Sequence, residues 1–292
     1  MEEFALEAIE RITTRPKAIY ETISVSPITP LIGAEVSGLD LSKELPAVQL
    51  DEVKRAFLAH HVLVFRNQTL SAEDHKRFAR CFGELHPVIP APVDKDPFIL
   101  EISASKESRY VAGDGWHADG TADAEPSLGS MLYLTRTPEL GHGGDTLFAN
   151  MHLAYEMLSP AMRTFLDGLT AIHDGLLPWR IVGLTPPPDY VIPKNEHPVV
   201  VRHPDTGRKL LFVNGAYTSH IVQLGHDESR AILDMLCAHI ARTPVLNCRV
   251  HWTPNTLVFW DNRCVQHHVA WDYYPHSRYG QRIAINGPRP RA

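Results

Sequence analysis

Two potential metal ligands, His117 and Asp119, lie two residues apart in the segment WHADG. In an extended segment, residues i and i+2 project to the same side, so the imidazole and the carboxylate converge on one point. Such a pair also arises by chance, and alone it is more simply explained as a hydrogen-bonded pair in a loop. The segment WDNRCVQHH offers a third ligand, either His267 or its neighbour His268. Two histidines and one carboxylate form the facial triad of non-haem iron(II) oxygenases, which leaves coordination positions open.

Two arginines follow these candidate ligands in the segment RYGQRIAI. On a strand, Arg278, Gly280, Arg282 and Ala284 share one face, and the small residues would leave room for a ligand beneath the two guanidinium groups. Arginine binds a carboxylate or sulfonate bidentately through a planar fork that lysine lacks. For isolated arginines, pairing with acidic side chains at the surface is the simpler interpretation. Their position just after the candidate metal ligands favours an anion-binding face.

The elements that must position these residues are mostly short strands. Helices are predicted within 1–20, at 47–61 and 71–83, and roughly at 152–168 and 227–242. From residue 98 onward β patterns dominate: FILEIS, LGSMLYLT, HPVVVRH, KLLFVN, NCRVHW, NTLVFW and RIAING. This pattern predicts a mainly β fold with flanking helices, a double-stranded β-helix (jelly roll) that encloses a pocket between its sheets. The segment 174–196 carries five prolines and is typical of a lid or a binding loop.

Composition limits the possible partners. The 292 residues carry a net charge of -6, which gives no basic surface for nucleic acid or an anionic membrane. No apolar run is long enough to span a bilayer, and the first residues have no signal-peptide pattern. The four cysteines are scattered without a CxxC pair, which is typical of reduced thiols in a cytoplasmic protein.

Taken together, these segments resemble the TauD/TfdA family of 2-oxoglutarate-dependent dioxygenases. The resemblance covers most of the chain in order: IGAEVSGLDL (32–41), FGELHPV (82–88), WHAD (116–119), GGDT (143–146), HPDTGRKLLFVN (203–214), WDNRCVQH (260–267) and the spaced Arg278 and Arg282. We expect residues 1–22 to be an N-terminal extension and residues 23–292 to be a single TauD/TfdA-like dioxygenase domain.

The resemblance implies a cofactor and a cosubstrate for specific residues. His117, Asp119 and His267, rather than the adjacent histidine, would ligate Fe(II). Arg278 and the hydroxyl of Thr146 would receive the distal carboxylate of 2-oxoglutarate. The expected reaction is hydroxylation of an organic substrate by O2, with succinate and CO2 as coproducts.

The resemblance also implies substrate contacts. Arg282 would face the anionic group of a small organic substrate, of the sulfonate, alkyl sulfate or aryloxyalkanoate class, and His86 would supply a further contact. Gly113 and Ile89 stand where taurine dioxygenases have asparagine and tyrosine, which leaves the primary substrate open. The family further implies a homo-oligomer, a dimer or a dimer of dimers.

Three alternatives compete with this interpretation. A 2-oxoglutarate-dependent hydroxylase or desaturase of an amino acid or of a secondary-metabolite carboxylate would leave its product intact, without releasing sulfite, sulfate or phenol. A non-catalytic jelly-roll binding module would form no succinate. A zinc hydrolase can use two histidines and a carboxylate as well, but it would not depend on Fe(II), O2 and 2-oxoglutarate.

Overall fold

The computed structural model describes residues 2–16, 18–88, 94–111 and 113–292, and within them the fold is mainly β with several helices. The helices are α1 Glu3–Thr13, α2 Ala47–His60, α3 Ala72–Arg80, α4 Met151–Glu156, α5 Pro160–Leu166, α6 Leu177–Ile181 and α7 His226–Arg242. The strands are β1 Ser24–Pro27, β2 Ala34–Ser37, β3 Val62–Phe65, β4 Leu85–His86, β5 Leu100–Ala104, β6 Gly129–Arg136, β7 Thr146–Asn150, β8 Thr170–Asp174, β9 Lys194–Pro198, β10 Val200–Arg202, β11 Lys209–Leu211, β12 Thr218–Ile221, β13 Asn247–Val250, β14 Thr256–Asp261, β15 Val265–Val269 and β16 Arg278–Ile285.

The largest sheet has the strand order β1-β2-β3-β14-β6-β16-β4, and β5 also pairs with β16. Its central strand β14 is buried along its whole length because both faces of the sheet are covered. Leu257 and Phe259 point toward α2 and α3, where Phe259 stacks on Phe57 with ring centroids 3.9 Å apart. Val258 and Trp260 point to the opposite face, into a second apolar cluster. Because successive side chains of a strand point to opposite faces, β14 contributes to two separate apolar clusters, one on each face of the sheet.

Smaller sheets lie on the second side of the molecule. One has the order β13-β7-β15 and another the order β12-β8-β9, while β10 and β11 form a hairpin. Phe148 of β7 belongs to the same apolar cluster as Trp260 of β14, and the two rings lie 5.7 Å apart. The space between the large sheet and the β13-β7-β15 sheet holds the candidate site.

The helices predicted at 47–61, 71–83 and 227–242 are confirmed as α2, α3 and α7, within a few residues at their ends. The single helix predicted at 152–168 is wrong, because the segment forms α4 and α5 instead. Ser159 caps α5 by accepting a hydrogen bond from the backbone N–H of Met162, and Pro160 occupies the first turn. A proline there lacks the N–H that a continuous helix requires, so the chain starts a new helix.

The N-terminal helix α1 buries Ala5, Ala8 and Ile12 in the apolar cluster shared with β7 and α4. The division of the chain at residue 22 stays a prediction. Among the described residues, no helix combines the length and the apolarity that crossing a membrane would require.

Candidate active site

Three polar side chains converge between the sheets. The ligand atoms of His117, Asp119 and His267 all lie within 4.8 Å of one another. The Oδ1 atom of Asp119 is 3.8 Å from Nε2 of His117 and 3.9 Å from Nε2 of His267. The two histidines are paired through their backbones, with N–H···O distances of 3.1 and 2.7 Å in the two directions. This bridge joins the WHADG segment to β15.

Hydrogen bonds hold the first two of these side chains in place. Nδ1 of His117 lies 2.9 Å from the carbonyl oxygen of Gly115, which leaves Nε2 directed at the cluster. Asn262 accepts a hydrogen bond from the backbone N–H of Asp119 and donates one to its carbonyl, at 2.8 and 2.9 Å. The hydroxyl of Ser130 donates to Oδ2 of Asp119 at 3.1 Å. Such secondary contacts orient the ligands of a metal site.

The charges of the cluster suit a divalent cation. Burial opposes ionisation of Asp119, but the positive charge of Arg282 holds the pKa of its carboxyl below the usual range. Burial and the neighbouring His117 ring lower the pKa of His267 well below its ordinary value. An ionised carboxylate beside a neutral imidazole is the protonation state in which these groups bind metals. The donor set therefore fits an iron(II) facial triad.

A buried arginine lies on the strand next to this cluster. Arg278 is 2 % exposed, and its Nη1 and Nη2 atoms donate to the carbonyl of Gly144 at 3.3 Å and to Oγ1 of Thr146 at 3.4 Å. Its guanidinium lies 5.2 Å from the ring of Trp252. The indole N–H of Trp252 also donates to Oγ1 of Thr146, at 3.0 Å. Because this oxygen already accepts two hydrogen bonds, the Thr146 hydroxyl hydrogen remains free to donate to a ligand.

The charge of Arg278 lacks a matching anion. Within the part of the chain that the structure describes, no carboxylate lies within 4.0 Å of its guanidinium, and its Nε atom is buried without a hydrogen-bond partner. Burial lowers the pKa of Arg278 to about 10, so it is still a cation near pH 7. A buried charge is costly unless it is paired. The site is therefore built to receive an anion.

A cavity of about 880 Å³ connects these groups. His117, Asp119, His267, Thr146, Arg278 and Arg282 all line it. Its remaining wall is largely apolar and includes α6 and the residues that follow, with Trp179, Ile181 and Leu184 in the lining. The segment 174–196 therefore supplies one wall of the cavity, which suits its expected part as a binding loop.

Comparison with known proteins identifies the family. The sequence profile described as "Taurine catabolism dioxygenase TauD, TfdA family" matches residues 24–284.

The chain belongs to the TauD/TfdA family.

The relatives agree with this membership. An alkylsulfatase of Acinetobacter baylyi is 34% identical over 91% of this chain and 86% of its own length. An alpha-ketoglutarate-dependent sulfate ester dioxygenase of Pseudomonas putida is 30% identical over 96% of this chain and 94% of its own. The crystal structure of a taurine dioxygenase from Burkholderia xenovorans aligns with a TM-score of 0.80 at 33% identity, over 92% of this chain and 93% of that one. The chain is thus a 2-oxoglutarate-dependent dioxygenase, an oxidoreductase.

Two further histidines considered from the sequence, His268 as an alternative ligand and His86 as a substrate contact, lie outside the ligand cluster. His268 turns away and accepts a hydrogen bond from the N–H of Gly115 at 2.6 Å, so it helps to hold the loop before His117. His86 lies in β4 with Nδ1 2.9 Å from Oδ1 of Asn286, and it is absent from the described lining of the cavity. Its substrate contact stays a prediction. Ile89, which stands where taurine dioxygenases have tyrosine, lies outside the described residues.

Several residues of this TauD/TfdA site were not expected from the sequence. Trp252 and Asn262 contact Thr146 and Asp119, as described above, and Tyr217 lines the cavity. Burial raises the pKa of Tyr217 to about 12, so its phenol stays protonated. Asn262 lies inside the WDNRCVQH segment that carries the resemblance, which was an available signal. Trp252 and Tyr217 have no such local signal, because long-range packing brings them to the site.

Glycine is required between the two arginines for a reason different from the one expected. Gly280 does not leave space for a ligand. A Cβ atom at this position would lie 2.1 Å from the carbonyl oxygen of Tyr133 and 2.8 Å from Cα of Leu134. The β16–β6 register also shifts between Tyr279 and Gly280, at the point where the two backbones approach closely.

We therefore expect Gly280→Ala to lower the free energy of unfolding by about 1–3 kcal/mol, as overpacked sites do. Urea denaturation followed by circular dichroism measures the change. Gly215→Ala is the matched control, because the nearest contact of an added Cβ there would be Sγ of Cys237 at 3.9 Å. Equal stability of the two variants would show that the strands can separate without cost.

Proposed function

We propose that this chain uses Fe(II) and 2-oxoglutarate to hydroxylate a small anionic organic substrate of the sulfonate, alkyl sulfate or aryloxyalkanoate class. The observation that carries this proposal is the buried, unpaired cation of Arg278 in the same cavity as a histidine–carboxylate–histidine cluster. One group demands an anion and the other demands a metal. The cosubstrate of this family is an organic dianion that can satisfy both.

His117, Asp119 and His267 would hold the iron. Bound there, iron(II) would activate O2, of which one oxygen atom enters a substrate C–H bond and the other enters the succinate formed as 2-oxoglutarate loses CO2. The protein orients the metal ligands and neutralises the negative charges of the bound anions. Ser130 holds the carboxylate of Asp119 and Asn262 holds its backbone, while the backbone bridge between the two histidines fixes their separation.

Arg278 and Thr146 would bind the carboxylate of 2-oxoglutarate that lies farther from the metal. The guanidinium offers a planar pair of N–H groups, and the hydroxyl adds a third donor. Trp252 packs against the guanidinium and holds Thr146 through its indole N–H. Because Arg278 and Thr146 are both buried, their charge-assisted hydrogen bonds would be stronger than in water.

Arg282 would bind the anionic group of the primary substrate. Its Nη1 atom contacts Oδ1 of Asp119 at 2.7 Å, and its side chain lines the cavity. An anion bound to its remaining N–H groups would bring the adjacent carbon of the substrate close to the metal ligands. The apolar wall of Trp179, Ile181 and Leu184 favours a substrate with a sizeable hydrocarbon or aryl body. The Pseudomonas putida relative is named as a sulfate ester dioxygenase.

The architecture that supports this site is, we infer, the jelly roll expected from the sequence. The large sheet and the β13-β7-β15 sheet would be its two halves, with the metal ligands between them. Localisation in the cytoplasm and a homodimer or a dimer of dimers stay predictions.

Anaerobic addition of Fe(II) and 2-oxoglutarate to the purified protein tests the proposal. We expect a weak visible charge-transfer band, which a true substrate perturbs. Alkyl sulfates of increasing chain length, sulfonates and aryloxy acids are then screened for succinate formation after O2 is admitted. Release of sulfate, sulfite or phenol supports the proposed substrate class, whereas an intact hydroxylated or desaturated product favours the alternative. Iron binding without the band would sink the proposal.

We expect Arg282→Ala to raise the KM for the primary substrate by about 30-fold or more, because losing one partner of a charge pair costs about 2–5 kcal/mol. Oxidation of 2-oxoglutarate without substrate should continue. Steady-state kinetics and succinate yield per product distinguish the two effects. Gln281→Ala, on the opposite face of β16, is the matched control. A variant that instead loses 2-oxoglutarate binding would assign Arg282 to the cosubstrate.

A further inference from the structure

A second cluster of metal-binding groups lies at the end of α2, away from the candidate active site. The ligand atoms of His61, His152 and Cys264 all lie within 4.8 Å of one another. Those of His203 and Asp261 lie equally close to the same cysteine. All five side chains are buried, with exposures between 0% and 3%. None of them belongs to the cavity that holds the facial triad.

The distance between two of these groups fits a shared metal ion. Sγ of Cys264 lies 3.6 Å from Nδ1 of His61. A tetrahedral zinc ion has Zn–S and Zn–N bonds of about 2.3 and 2.0–2.1 Å, which separates the two ligand atoms by about 3.6 Å. The same distance also suits a weak S–H···N hydrogen bond, so it needs further support.

His152 provides that support. Its Nδ1 atom lies 2.9 Å from the carbonyl oxygen of Lys209, which fixes the ring. Its Nε2 atom is buried and has no hydrogen-bond partner among the described residues. A buried polar atom without a partner is costly and calls for an explanation, such as an ion. A metal ion bound between His61, His152 and Cys264 would give Nε2 of His152 its missing partner.

The backbone conformation of His61 also supports a metal site. This residue follows α2 in the left-handed conformation, with φ of 65°. Glycine is the usual residue at such a position, and a histidine there is uncommon. Backbone strain of this kind is often retained where a side chain has a function.

The charged groups around the cluster pair with one another. Asp261 accepts hydrogen bonds from Arg263 at 2.7 and 2.8 Å and from His203 at 3.0 Å. Arg263 also pairs with Asp205, and Glu156 lies 3.0 Å from Arg208 and 4.0 Å from Arg11. Three carboxylates therefore balance three guanidinium groups, and the deprotonated thiol of Cys264 would supply the negative charge that faces a bound dication.

We propose that His61, His152 and Cys264 form a second, structural site for a thiophilic divalent metal such as zinc. Histidine nitrogen and cysteine sulfur are the ligands that closed zinc sites use. The metal would tie the end of α2 and the start of α4 to the turn before β15. Because the ligands are buried, the ion would enter during folding and exchange slowly.

The first test is metal analysis of the full chain, expressed in zinc-supplemented medium and then treated with EDTA. Asp119→Ala is made first, so that the facial triad cannot hold the ion. We expect this variant to keep about one zinc per chain. Adding Cys264→Ala or His61→Gly should lower the zinc content by about tenfold or more, since each removes one of the ligands. The left-handed backbone favours glycine at residue 61, so the second variant should fold even if the first does not.

Cys248→Ala is the matched control, because Cys248 is also buried but lies outside the cluster. It should retain the zinc. The second test is refolding with Co(II), which should give a thiolate-to-cobalt charge-transfer band in Asp119→Ala that disappears with Cys264→Ala. Loss of all zinc in Asp119→Ala, retention of zinc in His61→Gly, or absence of the cobalt band would each overturn the proposal. The cluster would then be a hydrogen-bonded part of the core.

Discussion

Asp119→Ala is expected to abolish measurable hydroxylation, with kcat/KM falling by more than about 1,000-fold. Removing even a secondary contact of a metal site costs about 10- to 100-fold, and this change removes a ligand itself. It also removes the carboxylate that holds Arg282 at 2.7 Å. Succinate formation under saturating 2-oxoglutarate and iron content by mass spectrometry provide the measurements.

Asp114→Ala is the matched control for this loss. Asp114 lies in the same segment, is 58% exposed, and is 4.0 Å from His268 rather than from the cluster. We expect near-normal turnover in this variant. Normal activity in Asp119→Ala, with iron still bound, would show that the metal is held elsewhere and would refute the proposed triad.

Arg278→Ala is expected to weaken 2-oxoglutarate binding by about 30- to 5,000-fold, since truncating one partner of a buried charge pair costs about 2–5 kcal/mol. Iron binding should be unaffected, because the guanidinium lies among Gly144, Thr146 and Trp252 rather than among the metal ligands. Titration of the visible charge-transfer band with 2-oxoglutarate gives the dissociation constant directly.

Two further variants sharpen this result. Arg278→Lys keeps the charge but loses the planar fork, so it should recover only part of the affinity. Arg136→Ala removes an exposed arginine from the adjacent strand, opposite Tyr279, and should leave the affinity unchanged. If Arg278→Ala bound 2-oxoglutarate normally, the buried cation would have to serve another anion.

Local sequence patterns predicted those elements whose structure depends on near neighbours. The spacing of apolar residues predicted α2, and the Ser71–Asp74 capping pattern predicted the start of α3, where the capping box is present. Period-two alternation placed Arg278 and Arg282 on one face of a strand, and the structure has both in the cavity lining. These features need no information from distant parts of the chain.

The contacts that assemble the site could not be predicted in this way. The pairing of His117 with His267 joins segments 150 residues apart. Trp252 reaches Thr146 only because β13 and β7 are neighbours in one sheet. Gly280 was misread for the same reason, since the backbone that crowds it belongs to another strand. Spatial order of strands is a property of the whole fold and leaves little trace in a local pattern.

The wall formed by α6 has an evolutionary consequence. The proposed metal ligands and Arg278 lie on or beside the sheets, whereas Trp179, Ile181 and Leu184 lie in a separate connecting segment. Mutations in that segment can change which organic molecules fit without disturbing the groups proposed to bind iron and 2-oxoglutarate. Selection can therefore act on this one segment to change the substrate that the cavity accepts, while the oxidation chemistry is retained. Proteins with this architecture can therefore change their substrate range while the residues proposed for catalysis stay the same.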